Sequence, residues 1–162
     1  NVFPVVLGVE LPVEGQYLLV VQGMGREVVM SDVQIAVPGA ADQVGRKLKG
    51  YLKTLARERL TAASDRYARL LGLRYRRLTL RDARSRWGSC SSQGALMYSW
   101  RLVMAPSEIL DYVAAHEVAH LAQMNHTPAF WAVLGDLYGD YAPIRRWLRK
   151  NGPALHNFQF GD

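Results

Sequence analysis

The sequence predicts a single α+β domain with an N-terminal antiparallel β portion, followed by a helical half. Three observations support this fold class. Short apolar runs separated by glycine occupy the first 40 residues, helical spacing of apolar residues begins near residue 41, and a His-Glu-x-x-His pattern lies in a helical context further on. With 162 residues, 49% of them hydrophobic, the chain is long enough for one hydrophobic core.

The N-terminal region predicts strands and then a helix. Between Val5 and Val37 the apolar or alternating runs are VVLGVELPV, YLLVVQG and REVVMSDVQIAV, and turn residues separate them. They indicate three or four antiparallel strands joined by tight turns. From about Ala41 to Leu71 the apolar residues follow helical spacing, and Gly72 suits a helix C-cap. This segment is one long basic helix, or two helices with a bend.

The second half predicts two further strands and three helices. The strands are RYRRLTLRDA and ALMYSWRLVMA, and the turn-rich RSRWGSCSSQG separates them. Pro106 and Ser107 begin a helix that runs to about Gln123. Another helix begins at Thr127-Pro128 and ends between residues 135 and 139, and a last one covers roughly residues 142–150.

Charge and cysteine content bear on partners and compartment. The net charge is +6, which favours acidic partners such as nucleic acid or phosphate ligands, although a solvated basic face is the commoner explanation of such a charge. Cys90 is the one cysteine, so we expect no disulfide and a reducing compartment, most simply the cytoplasm. We expect neither a membrane span nor a signal peptide. Because the sequence begins without Met, it does not decide whether a segment precedes Asn1. It does not predict the oligomeric state either.

Three of the four histidines lie within eleven residues. His116 and His120 are four residues apart on a predicted helix, so they lie on the same face and can both reach one zinc ion. Glu117 stands where a base acting on a zinc-bound water is expected. The pattern therefore predicts a zinc hydrolase site with Zn²⁺ as cofactor.

A catalytic zinc usually has three protein ligands and one open position. His126 is the predicted third ligand, ten residues after the first histidine, the offset of the metzincin pattern. Gln123 replaces the glycine of that pattern, so the metzincin assignment does not fit, and Asn125 is able to make the turn instead. Other acidic or imidazole groups remain alternatives, namely Glu108, Asp136, Asp140 and His156.

The C-terminal half resembles the YgjP-like family of predicted zinc metallopeptidases, which are zincin-like and related to SprT-like and WLM proteins. The resemblance rests on RWGSCS at 86–91, WRLV at 100–103, DYV at 111–113, HEVAH at 116–120 and NHTP at 125–128, and it spans about residues 84–152. It implies a zincin-like fold with His116, His120 and His126 as ligands and Glu117 as base. On this basis residues 1–72 form strands and the basic helix, 73–152 a zincin-like catalytic core and 153–162 a C-terminal tail, all within one domain.

Several other residues are candidates either for a functional role or for a structural one. Arg86 is a candidate substrate contact in the cleft, whereas Trp87 and Cys90 are more readily explained as packing residues. The arginines between residues 74 and 86 suit a charged edge strand, or a face that binds nucleic acid weakly together with the basic helix. Tyr141 is a candidate donor to the oxyanion of the transition state.

The function that these patterns favour is zinc-dependent hydrolysis of a peptide or protein substrate. One alternative keeps the metal and changes the substrate to a phosphoester or nucleotide. Another is a nucleic-acid-associated protein whose zinc is structural. Three protein ligands without a fourth favour an open, catalytic site over a structural one.

Overall fold

The computed structural model describes residues 1–161 and contains nine strands and four α-helices. In chain order the helices are α1 (Val44–Leu71), α2 (Ser107–Ala119), α3 (Pro128–Tyr138) and α4 (Ala142–Asn151). The strands are β1 (Phe3–Pro4), β2 (Glu10–Val13), β3 (Gln16–Gln22), β4 (Val29–Met30), β5 (Gln34–Val37), β6 (Arg77–Arg81), β7 (Gly88–Cys90), β8 (Ala95–Ser99) and β9 (Phe158–Gln159). The predicted α+β class is confirmed. No helix within these residues is long and apolar enough to cross a membrane.

The N-terminal sheet has the strand order β2-β3-β5-β4. A two-residue turn joins β2 to β3, and both of its residues, Glu14 and Gly15, have positive φ, as a tight hairpin between twisted strands requires. The sheet differs from the antiparallel expectation at one pairing, since β3 and β5 run parallel, with Val20 opposite Ile35. The chain crosses first to the outer edge as β4 and returns as β5, which places β5 beside β3 in the same direction.

Helix α1 is one continuous helix of 28 residues, which decides between the two predicted alternatives. Leu48, Leu52 and Leu55 repeat along its buried face, and Gly72 ends it in the left-handed conformation at φ 68°. This face packs against α2 and against a 3-10 segment, Trp100–Met104, whose residues are all buried.

The second sheet has the order β6-β8-β7, with β6 parallel and β7 antiparallel to β8. Two local expectations were wrong here. The turn-rich segment contains the short edge strand β7, and the strand predicted to continue through residue 105 ends at Ser99. The Ser99 hydroxyl accepts a hydrogen bond from the backbone N–H of Arg101 and starts the 3-10 segment instead.

Helix α2 lies in the centre of the helical half, packed against α1, α3, α4 and β7. It ends at Ala119, earlier than the predicted Gln123, and turns of the backbone continue to that residue. The chain then turns back, and α3 starts after Thr127, whose hydroxyl accepts from the N–H of Phe130. The first turn of α3 therefore stands beside the last turn of α2.

The segment after residue 152, which the sequence analysis treats as a tail, packs against the core. The buried Arg101 donates to the backbone carbonyls of Leu155 and Phe158, at 2.8 and 2.9 Å, and to the carboxylate of Asp82 at 2.7 Å. Strand β9 then pairs with β1. The last described residues therefore tie the N-terminal strand to the helical half.

Candidate metal centre

The end of α2 presents two histidines on one face. His116 lies in the last turn of the helix and His120 caps it, and their ring centroids are 5.3 Å apart. This spacing follows from the helix geometry, because residues four apart project from the same side one turn apart. The side chains point towards the start of α3.

The loop between α2 and α3 returns His126 to the same place. A tight turn from Asn125 to Thr127 closes this loop through a backbone hydrogen bond of 2.8 Å. The Nε2 atom of His126 lies 3.1 Å from that of His120 and 3.3 Å from that of His116. Within residues 1–161, these three histidines form a cluster that could hold a metal ion, and their ligand atoms lie within 4.8 Å of one another. The alternative third ligands are not in this group: Glu108, Asp136, Asp140 and His156.

The outer ring nitrogens of the two helical histidines have hydrogen-bond partners. His120 Nδ1 lies 3.0 Å from the carbonyl oxygen of Gln123, which accepts its proton and leaves Nε2 unprotonated in the neutral ring. His116 Nδ1 lies 3.3 Å from the hydroxyl of Tyr112. The carbonyl at His120 fixes that Nε2 as an acceptor, which is the form that binds a metal ion, whereas the Tyr112 hydroxyl can donate to or accept from His116 Nδ1 and orients that ring.

The distances between these nitrogens fit zinc. Tetrahedral ligands about 2.0–2.1 Å from a zinc ion lie about 3.3–3.4 Å from one another. The separations of His126 Nε2 from the other two Nε2 atoms, 3.1 and 3.3 Å, are close to this value. The donor set, three imidazoles, is also one that catalytic zinc uses.

The surroundings favour the neutral form of the two histidines on α2, His116 and His120. Burial, and after it the two neighbouring histidines and Arg145, lowers the pKa of His116 to about 3. Burial also lowers the pKa of His120. Neutral imidazole is the form that binds metal, so no proton competes for these nitrogens near neutral pH.

An aromatic wall supports the three rings. Phe130, fully buried in the first turn of α3, contacts all three histidines, with ring centroids 4.4–5.0 Å apart. Trp131 stacks on His126 at 5.8 Å. These two aromatic side chains therefore contact the histidines directly.

Glu117 follows His116 and points to the opposite wall of the site. It is buried, with 7% of its surface exposed, and burial raises the pKa of its carboxyl to about 7, while the charge of Arg86 opposes this rise. Gly88 of β7 lies directly against it. A Cβ on residue 88 would stand 2.9 Å from Glu117 Cγ and 3.1 Å from Oε2. This need for glycine was not predicted from the sequence, because it depends on the approach of β7 to α2.

A cleft of about 460 Å³ opens beside these residues. Its floor contains His116 and Glu117, and its walls include Trp87, Val113 and Leu148.

The structure separates the other candidates. Arg86 lines the cleft, whereas Tyr141 does not; its ring packs on Trp131 at 5.4 Å. Burial, followed by the charge of Glu117, raises the pKa of Cys90 to about 11, which fits its expected role as a packing residue.

Three residues of the site were not predicted from the sequence to belong to it. Tyr112 lies four residues before His116, and that helical spacing was a signal for the contact. Arg145 and Arg149 reach the cleft from α4. No local pattern indicates this, because their position depends on how α4 packs against α2.

Comparisons with known proteins identify a similar fold and a matching family. Among solved structures, the metallopeptidase zymogen abylysin of Pyrococcus abyssi is similar in fold, with a TM-score of 0.51 and 18% sequence identity over 57% of this chain and 95% of that one. No curated protein matches the chain significantly. The model of the YgjP-like metallopeptidase domain matches residues 8–151, which is most of the chain. The resemblance noted from the sequence is thus confirmed, and the chain belongs to the YgjP-like family of metallopeptidases.

Proposed function

We propose that this protein is a zinc-dependent metallopeptidase in which His116, His120 and His126 hold the metal and Glu117 is the general base. The observation that carries the proposal is the convergence of three Nε2 atoms, at 3.1 and 3.3 Å, next to a buried carboxylate in an open cleft. Membership of a metallopeptidase family supports it.

In this proposal the three histidines bind the metal, and Glu117 transfers the proton. Zinc, when bound, would polarise the substrate carbonyl and lower the pKa of a nearby water. The carboxylate of Glu117 takes the proton of the attacking water and passes it to the nitrogen of the leaving amine. Because Glu117 is not in the cluster of ring nitrogens, its carboxylate stays available for this transfer.

The number of ligands supports an enzyme over a structural zinc protein. Structural zinc sites are usually closed by four protein ligands, whereas catalytic sites keep one position open. Within residues 1–161 the cluster contains three histidines and no fourth metal-capable side chain. The site then has room for a substrate on the side of the cleft.

The substitution Glu117→Gln tests the proposal. The amide is nearly isosteric but accepts no proton, so peptide hydrolysis should fall by about 10²–10⁴ while bound zinc is retained. The assay measures cleavage of fluorogenic peptides by zinc-loaded protein, with chelation and zinc re-addition as a check of metal dependence. Glu58→Gln, on the exposed face of α1, is the matched control. Undiminished cleavage by zinc-loaded Glu117→Gln would refute the proposed base.

A further inference from the structure

The cleft beside the metal centre is strongly cationic. Arg86, Arg145 and Arg149 line it, and Glu117 is the one acidic residue among its lining residues. The remaining walls are largely apolar, formed by side chains such as Trp87 and Leu148. The lining therefore carries three guanidinium groups against one carboxylate, which the proposed chemistry already uses.

Two different elements supply these arginines. Arg145 and Arg149 are four residues apart on α4, so they project from the same face of that helix. Arg86 comes from the opposite wall, two residues before β7 begins. The guanidinium of Arg145 lies 4.7 Å over the ring of Trp131, a cation–π contact that orients it at the site.

None of the three arginines is held in an ion pair within the described residues, although the charge of Arg86 acts on the nearby Glu117. All three are exposed. Other arginines of the chain are paired, as Arg59 is with Glu14 and Arg101 with Asp82. The cleft thus keeps a net positive charge at the place where a substrate would lie.

We infer that the cleft selects peptides that carry a carboxylate close to the bond to be cleaved, bound by Arg86, Arg145 and Arg149. The inference rests on the proposed function and names its substrate class. Guanidinium groups bind carboxylates through charge-assisted, often bidentate hydrogen bonds. In a peptide this group has two sources, the side chain of Asp or Glu and the free C-terminus.

A carboxylate fits this cleft better than a phosphate does. Phosphate sites usually add backbone N–H groups of glycine-rich loops or helix N-termini to the cationic side chains. The glycine that lines this cleft, Gly88, lies against the side chain of Glu117. The charge of Glu117 also repels a phosphate dianion more strongly than a carboxylate monoanion.

The experiment compares kcat/KM for peptides of one length that differ by a single charge. The reference peptide has Gln next to the cleavage site and blocked ends. One test peptide replaces Gln with Glu, and a second keeps Gln but has a free C-terminus, so the two arms separate the two sources of the carboxylate. For zinc-loaded wild type at low salt, we expect at least one test peptide to exceed the reference about tenfold. This preference should weaken as salt is added.

Substitutions assign the preference to the arginines. Arg145→Gln and Arg149→Gln should each lower the ratio of test to reference kcat/KM by about three- to tenfold. Arg146→Gln is the matched control, since this exposed neighbour on α4 does not line the cleft, and it should leave the ratio unchanged. Equal kcat/KM for all three peptides would overturn the inference and leave peptide hydrolysis established.

Two further outcomes are distinguishable. If no peptide is cleaved, the proposed function fails, and binding of the same peptides to zinc-loaded Glu117→Gln protein still decides whether the cleft prefers a carboxylate. If the peptides bind equally, whereas a single-stranded oligonucleotide binds in a way that depends on Arg145 and Arg149, the arginines belong to a nucleic-acid site. That result would overturn the inference.

Discussion

The contact between Gly88 and Glu117 predicts that one added methyl group disables the proposed base. In Gly88→Ala the new Cβ would lie 2.9 Å from Glu117 Cγ, 3.1 Å from Oε2 and 3.1 Å from the carbonyl oxygen of Met97. The first distance is shorter than van der Waals contact allows, and the Met97 carbonyl is held in β8. The side chain of Glu117 must therefore move.

The size of the effect follows from the geometry. A displacement of about 1 Å in a catalytic group costs on the order of 10² in rate. Overpacking lowers the free energy of unfolding by about 1–3 kcal/mol. Replacing glycine with alanine raises it by about 0.4–1 kcal/mol, because alanine reduces the conformational entropy of the unfolded chain. We therefore expect about 10²-fold less peptide cleavage and a stability loss of at most about 2.5 kcal/mol. Zinc content should not change, because Gly88 is not among the clustered histidines.

The assay is a double-mutant cycle that combines Gly88→Ala with Glu117→Gln. If Gly88→Ala acts through Glu117, the double variant should be no slower than Glu117→Gln alone. Gly50→Ala, at an exposed helical site with nothing within 4 Å of the added Cβ, is the control and should keep full activity. Full activity of Gly88→Ala, or simple multiplication of the two losses in the double variant, would refute the reasoning.

Two other predictions concern the core and the thiol. Arg101→Met removes the hydrogen bonds to Asp82, Leu155 and Phe158, and should lower the free energy of unfolding in urea by about 2–4 kcal/mol, since Asp82 keeps partial access to water. A loss below about 1 kcal/mol would mean that these hydrogen bonds of Arg101 stabilise the fold no more than an exposed ion pair does. Because its pKa is raised to about 11, Cys90 should react with a thiol reagent at pH 8 about 100-fold more slowly than a free cysteine, and the rate should rise about tenfold per pH unit up to pH 9.5. A plateau by pH 9 would contradict this raised pKa.

Features encoded by neighbouring residues were predictable from the sequence. The period of the leucines and the αL-compatible Gly72 predict the end of α1 to the residue, and its start to within three residues, because a 3-10 turn occupies residues 41–43. The four-residue spacing of His116 and His120 predicts their common face, and the same spacing relates Tyr112 to His116. In each case the information lies within one or two helical turns.

Features that depend on distant pairing were not predictable. β7 is three residues long in a turn-rich segment, and its pairing with β8 makes it a strand. The parallel pairing of β3 with β5 depends on the path of the intervening chain. Similarly, Arg145 and Arg149 join the site because α4 packs beside α2, and no property of the α4 sequence indicates this.

Some expectations from composition stay predictions. The basic face formed by α1 and the arginine-rich strand remains a predicted nucleic-acid surface, with weak and salt-sensitive binding. The cytoplasmic location and the division at residues 72 and 152 likewise stay predictions.

Zinc titration of chelator-treated protein tests the central claim most directly. Wild type and Glu117→Gln should each bind one zinc per chain with similar affinity, because Glu117 lies outside the histidine cluster. His126→Ala should lose most of this affinity, since it removes one of three ligands, whereas Glu108→Ala should behave as wild type. Unchanged zinc affinity in His126→Ala, or loss of zinc in Glu117→Gln, would contradict the assignment of three histidine ligands and a separate base.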